Sequence, residues 1–186
     1  MRPKGKLFAL LAVFAAIGLV TASGAFTTVQ ADRTATVNVA GDSSALLALT
    51  PATEANGQYA YLNNGQLELD ISSSNPNSGG SNFTGAGVND DALTSISAVF
   101  TIENQGTQDV DVYLGDASGN AITLNGNDTA LQYYWGSTTT NSSETSTNAV
   151  TLSPGQSVSV GFQIDLRVES VSGTFPDFTV FAEASN

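Results

Sequence analysis

From Ser157 to Glu169 every second residue is apolar. Val158, Val160, Phe162, Ile164, Leu166 and Val168 alternate with Ser157, Ser159, Gly161, Gln163, Asp165, Arg167 and Glu169. Successive side chains of a strand point to opposite faces, so this run puts one face in a core and the other in water. The same period recurs in Ala35, Val37 and Val39; in Leu67, Leu69 and Ile71; in Ile96, Ala98, Phe100 and Ile102; and in Val110, Val112 and Leu114. Alternation of this kind belongs to an antiparallel sheet packed on one side only. Shorter strands are expected at Ala45–Leu49, Gln58–Leu62, Ala121–Leu124, Leu131–Trp135, Ala149–Leu152 and Phe178–Ala184.

Turn formers separate these runs. Asn63-Asn64-Gly65 reads as a hairpin turn. Asn104-Gln105-Gly106, Asp116–Asn120, Asn125–Asp128 and Pro154-Gly155 are further reversals. Residues 72–91 and 136–148 are polar stretches that read as exposed loops, with a short helical turn at Asp90–Leu93. Many short strands with one buried face imply an all-β fold, an antiparallel β-sandwich over residues 41–186. Jelly-roll and Ig-like connections both satisfy the pattern.

Residues 1–24 have the three parts of a secretory signal peptide, expected as a signal helix. Arg2, Lys4 and Lys6 form the positive end, Leu7–Val20 the apolar run, and Thr21–Ala25 the small residues for cleavage. The run is shorter than the roughly 20 residues a membrane span needs. The chain carries 5 Lys+Arg and 17 Asp+Glu. Without the leader, Arg33 and Arg167 stand against all 17 acids, a net charge of −15. Such a chain repels itself in dilute salt, whereas at about 1 M the Debye length is only about 3 Å. The composition suits a secreted or cell-surface protein in brine. It excludes nucleic acid and, beyond the leader, membrane as partners, since both require a basic patch.

The chain has no cysteine and no histidine. Disulfides, the usual zinc ligands and the Ser-His-Asp and Cys-His nucleophile systems are therefore excluded. No phosphate-cradling glycine loop occurs. Only carboxylates remain for acid–base work, and nothing singles out a pair, so no enzyme and no cofactor are expected. Oxygen donors cluster at Asn89–Asp91, Asp109/Asp111, Asp116–Asn120 and Asn125–Asp128, but none has EF-hand spacing. They are read as turns, with no metal site. Sequons begin at Asn82, Asn127 and Asn141, all in expected loops. Tyr133-Tyr134-Trp135 is read as a strand with one aromatic in the core and its neighbours on the rim.

Two segments carry a resemblance. Gly24-Ala25-Phe26 leads through Ala31-Asp32-Arg33 into a Val/Thr strand, and Phe100–Leu114 forms a strand, an Asn-x-Gly-Thr turn and a returning strand. Together these resemble the camelysin/TasA group of exported β-sandwich proteins, most closely its haloarchaeal members. The resemblance implies a jelly-roll-like subunit of surface filaments, in which an N-terminal segment of one subunit adds as a strand to the next. Its old association with metalloprotease activity does not carry over, because no His-Glu-x-x-His motif exists here.

Residues 25–40 are the matching segment, able to extend about 50 Å at roughly 3.3 Å per residue. Phe26 opens it, and Val29, Ala31, Ala35, Val37 and Val39 share one face. Arg33 interrupts that face and needs an acidic partner. The same segment is equally readable as the first strand of its own sandwich. The expectation is a glycosylated structural protein whose partner is itself or another surface protein. The alternative is a non-polymerising adhesin or carbohydrate-binding module.

Overall fold

A computed structural model describes residues 5, 8–9, 11–14, 40–79, 85, 87–124, 130–136, 142–167 and 176–185. The chain divides into two compact units, Met1–Val37 and Asn38–Asn186. In the first, the described residues are helical, and Phe8, Leu11, Val13 and Phe14 are exposed. No helix among the described residues is long and apolar enough to cross a membrane. The expected donor residues Phe26, Val29, Ala31, Ala35, Val37 and Val39 lie outside the described residues, as do Asn82, Asn127 and Asn141.

The second unit is an all-β sandwich of antiparallel strands. Its strands are β1 (Leu47–Pro51), β2 (Ala60–Asn63), β3 (Gln66–Leu69), β4 (Leu93–Asn104), β5 (Val110–Gly115), β6 (Leu131–Trp135), β7 (Val150–Leu152), β8 (Ser157–Asp165) and β9 (Thr179–Ala184). One sheet has the order β1-β4-β8-β6 and another β7-β5-β9, while β2 and β3 form a hairpin. The alternation in β8 does what its period requires. Val160, Phe162 and Ile164 enter the core with Phe100 and Ile102 of β4, Leu131 and Tyr133 of β6, and Val112 and Leu114 of β5. Phe178, just before β9, stacks on Phe100 with centroids 5.5 Å apart and joins the two sheets.

In β4 the alternation fails at one point. The register against β8 jumps from Ile96↔Phe162 to Phe100↔Val160, so Ser97, Ala98 and Val99 all oppose Gly161. The bulge takes Ala98 to φ 50° and turns Val99 fully inward, where simple alternation places it in solvent. Gly161 is required there. A Cβ would lie 2.7 Å from the Ile96 carbonyl oxygen and 2.8 Å from the Tyr134 ring. Tyr134 covers the glycine, and Trp135 donates from Nε1 to the Asn148 carbonyl at 2.8 Å. All three aromatics of Tyr133–Trp135 are therefore buried, not one. Asp90–Leu93 is a turn entering β4 rather than a helical one, and Ala121–Leu124 forms no strand of its own.

Buried asparagine replaces disulfides as the tie between loops. Asn104 donates to the Gln108 and Leu152 carbonyls at 2.7 and 2.8 Å and accepts from the Gly106 N–H at 2.9 Å. This explains the Asn-x-Gly order of that turn: one amide side chain closes it and pins it to β7. Asn75 does the same for the loop after β3, donating to the carbonyls of Gln58 and Asp70. Asn64 and Gly65, at φ 51° and 87°, form the tight β2–β3 turn.

Candidate functional site: a groove between open strand edges

In an antiparallel pair, alternate residues point their N–H and C=O groups away from the partner. That alternation tells which backbone groups each edge strand leaves unpaired. Gly136 donates to the Ser159 carbonyl and Asp165 to that of Ala130, so Leu131, Tyr133 and Trp135 of β6 point outward. This edge is sealed at its centre. The Ser143 N–H donates to the Tyr133 carbonyl at 3.0 Å, and the Tyr133 N–H donates to Oε1 of buried Glu144 at 2.9 Å. The same short strap reaches the other sheet, through Leu114 N–H to the Ser143 carbonyl and Thr145 N–H to the Leu114 carbonyl.

The β9 edge differs. Ser185 donates to the Asp109 carbonyl, so Thr179, Phe181 and Glu183 exchange hydrogen bonds with β5, and Val180, Ala182 and Ala184 point outward. Among the described residues nothing pairs with these outward groups. The β3 edge is similar. Asp70 donates to the Tyr59 carbonyl, which turns the backbone of Leu67 and Leu69 outward, and among the described residues only the Leu67 N–H is taken, by Oδ2 of Asp42 at 2.7 Å.

These two edges flank a groove of about 640 Å³. Leu49 of β1 and Leu67 and Leu69 of β3 form one apolar wall, Phe178 and Val180 the other, and Tyr133 part of the lining between them. Tyr133 is fully buried among aromatic rings, with Phe178 at 5.6 Å and Phe162 at 6.2 Å. Its hydroxyl has no hydrogen-bond partner among the described residues. Burial, and then the nearby Glu144 charge, push that hydroxyl's pKa far up, so it stays protonated. Asp42, Glu68 and Asp177 are the acidic residues of the lining, and the carboxylate of Glu68, which lies between Leu67 and Leu69 in β3, points to the opposite face of the hairpin. Glu68 is held by the Tyr61 hydroxyl at 2.7 Å and the Asn63 amide at 2.8 Å. The slot thus combines leucine side chains, acidic residues and outward backbone groups that meet no partner among the described residues.

A family model described as "Protein of unknown function (DUF1102)" matches residues 39–185. The chain belongs to the DUF1102 family. No curated protein matches it. The matched DUF1102 span takes in every strand of the sandwich and starts just before its first described residue, so residues 25–38 lie outside the match.

Elsewhere in the DUF1102 domain the oxygen clusters serve their own loops. Oδ1 of Asp116 accepts the N–H groups of Ser118 at 2.8 Å and Asn120 at 2.9 Å. The Asn120 and then Ser118 N–H groups hold this carboxyl below its ordinary range. Asp111 accepts from the Thr151 hydroxyl at 2.6 Å. Among the described residues no group of three or more acidic side chains is placed to hold a metal ion, and Asn125–Asp128 lies outside them. Sequence reasoning missed Tyr133 as a groove residue, Glu144 as a buried brace, and Asp42, Glu68 and Asp177 as parts of one groove's lining. Only the tight turn at Asn64-Gly65, which puts β3 beside β2, signalled any part of this site.

Proposed function

We propose that this DUF1102 protein is an exported, acidic cell-surface structural subunit that assembles by strand addition, as its resemblance to the camelysin/TasA group implies. The observation that carries the reading is the outward backbone of β9, which meets no partner among the described residues and starts beside a groove lined by leucines and acidic residues. An unpaired edge is a template for a further strand, and soluble proteins usually block it with lysine, proline or a covering loop. The outward residues of β9 are Val180, Ala182 and Ala184, none of which blocks pairing.

Residues 25–40 are the natural donor. The six residues of β9 span about 20 Å at 3.3 Å per residue, whereas the segment extends about 50 Å. The surplus suffices to cross to a neighbour. The chain is extended at Gly41, φ −70° and ψ 161°, just before the Asp42–Ser44 turn. Export and life in brine follow from the leader and the charge of −15.

The test is electron microscopy of the leader-free protein in about 2–3 M salt, where the Debye length is at or below about 3 Å. Regular thin filaments are expected. Monodisperse particles at every salt concentration would overturn the reading in favour of a surface binding module.

A further inference from the structure

Asparagine followed by glycine occurs at Asn56-Gly57, Asn64-Gly65 and Asn125-Gly126. The last pair lies outside the described residues, and the other two sit in opposite settings. Asn56 donates from Nδ2 to the Ser97 carbonyl at 2.7 Å, and the Gly57 N–H donates to the Glu54 carbonyl at 2.9 Å. Gly57 is buried, and a Cβ on it would lie 1.8 Å from the Ala52 carbonyl oxygen. Both groups are pinned. Asn64, in contrast, stands exposed in the β2–β3 turn. Among the described residues neither its side-chain amide nor the Gly65 N–H makes a hydrogen bond. Gly65 also has no Cβ to hinder approach to its nitrogen or rotation of the peptide plane before it.

We propose that Asn64 is a site of spontaneous deamidation, and that its conversion releases a clasp on the β3 edge. The Gly65 nitrogen, losing its proton to solvent, attacks Cγ of Asn64. An N–Cγ bond forms, the Cγ–Nδ2 bond breaks and ammonia leaves, so the two residues share a cyclic imide. Water then opens the ring. Hydrolysis of the new N–Cγ bond leaves aspartate, and hydrolysis of the original peptide bond leaves isoaspartate, with the main chain routed through Cβ. Water is the only co-reactant. The φ values of 51° and 87° mark a tight turn whose length sets the hairpin register. Isoaspartate inserts a methylene into that backbone, and a turn this short has no slack to absorb it. The clasp depends on the turn's position. The Gly65 carbonyl accepts the Asp42 N–H at 2.7 Å, and Oδ2 of Asp42 accepts the Leu67 N–H at 2.7 Å. Gly41 packs on Gly65 so closely that a Cβ on it would lie 3.1 Å from the Gly65 oxygen. A displaced turn loses these contacts, and the Leu67 N–H of the β3 edge is uncovered.

The test ages the folded, leader-free chain in about 2–3 M salt at mildly alkaline pH, then digests it with chymotrypsin and measures fragment masses. Tyr59 and Tyr61 place Asn56 and Asn64 in separate fragments. The Asn64 fragment should gain one mass unit about tenfold faster or more than the Asn56 fragment, because Asn56 reacts only after local opening. In guanidinium the two rates should converge. Equal rates in the folded chain would overturn the proposal, as would an Asn64 that keeps its amide while the unfolded chain converts. In the isoaspartate form the Leu67 amide should exchange with solvent about tenfold faster or more than in fresh protein. Asn64→Gly closes the same kind of turn with no side-chain amide. It should keep slow Leu67 exchange however long it is aged. Unchanged Leu67 exchange in the isoaspartate form, or equal acceleration in aged Asn64→Gly, would overturn the release of the clasp.

Discussion

Strands β6 and β9 are both edges of the sandwich, yet they are finished in opposite ways. The outward backbone at the centre of β6 is taken up by the strap Ser142–Glu144, at the cost of burying a carboxylate. The outward backbone of β9 meets no partner among the described residues, and a leucine-lined groove lies beside its start. A fold that closes one edge so elaborately has the means to close the other. Under the proposed strand addition, the two edges should respond to substitution in opposite ways.

The largest expected effect is on assembly. Ala182 points its N–H away from β5, so Ala182→Pro removes no hydrogen bond within the sheet, and proline is tolerated at such edge positions. The variant should unfold within about 1 kcal/mol of wild type, yet fail to assemble because the edge can no longer donate. Denaturant unfolding and sedimentation together check this. Normal filaments from Ala182→Pro would remove β9 from the account.

The matching change on the sealed edge is Glu144→Ala. It leaves the buried Tyr133 N–H without its acceptor and should cost about 1–3 kcal/mol. For a domain of this size that is a fall in Tm of about 2–4 °C per kcal/mol. The Tyr133 amide should also exchange faster with solvent. An unchanged Tm would mean that the strap is decoration rather than a seal.

A smaller effect of opposite sign is expected next to it. Thr145 has φ 68° and ψ 155°, a region essentially reserved for glycine, and is held there by its hydrogen bond to the Leu114 carbonyl. Relief of that strain outweighs the entropy lost by glycine, so Thr145→Gly should stabilise the domain by about 1 kcal/mol. A destabilised variant would show that the threonine side chain matters more than its backbone.

The smallest effect lies away from both edges. The Asp116 carboxyl is held below its ordinary value of 3.8 by the Asn120 and Ser118 N–H groups. A group depressed in the folded state stabilises fully above its unfolded pKa, and that stabilisation fades as pH falls through the folded value. The Tm gap between wild type and Asp116→Ala should therefore be constant above about pH 5 and close below about pH 4. A gap that persists at lower pH would mean that the turn does not depend on the charge.

Much of the sandwich was legible because burial on one face imposes a period of two. The run from Ser157 announces β8, Val110–Leu114 announces β5, and Asn64-Gly65 marks the β2–β3 hairpin. The reading failed where tertiary contact overrides the period. The bulge at 97–99 reverses the phase of Val99, and only the opposing Gly161 hints at it. Tyr134 is buried because that glycine leaves room for its ring, a fact belonging to two strands at once. Glu144 sits in a run of serine, threonine and asparagine that looks wholly solvated, and its burial follows from meeting β6. The groove was illegible for the same reason: Asp42, Glu68 and Asp177 are far apart in the chain and read singly as acidic surface.

The central claim is that the β9 edge is completed by another chain, and amide hydrogen exchange tests it without assuming a register. The assembled leader-free protein would be compared with a variant lacking residues 25–33, which should stay folded and dispersed. The account predicts slow exchange at Tyr133 in both, and slow exchange at Val180 and Ala182 only in the assembly. Equal, rapid exchange at Val180 and Ala182 in filaments and in the dispersed variant would contradict it.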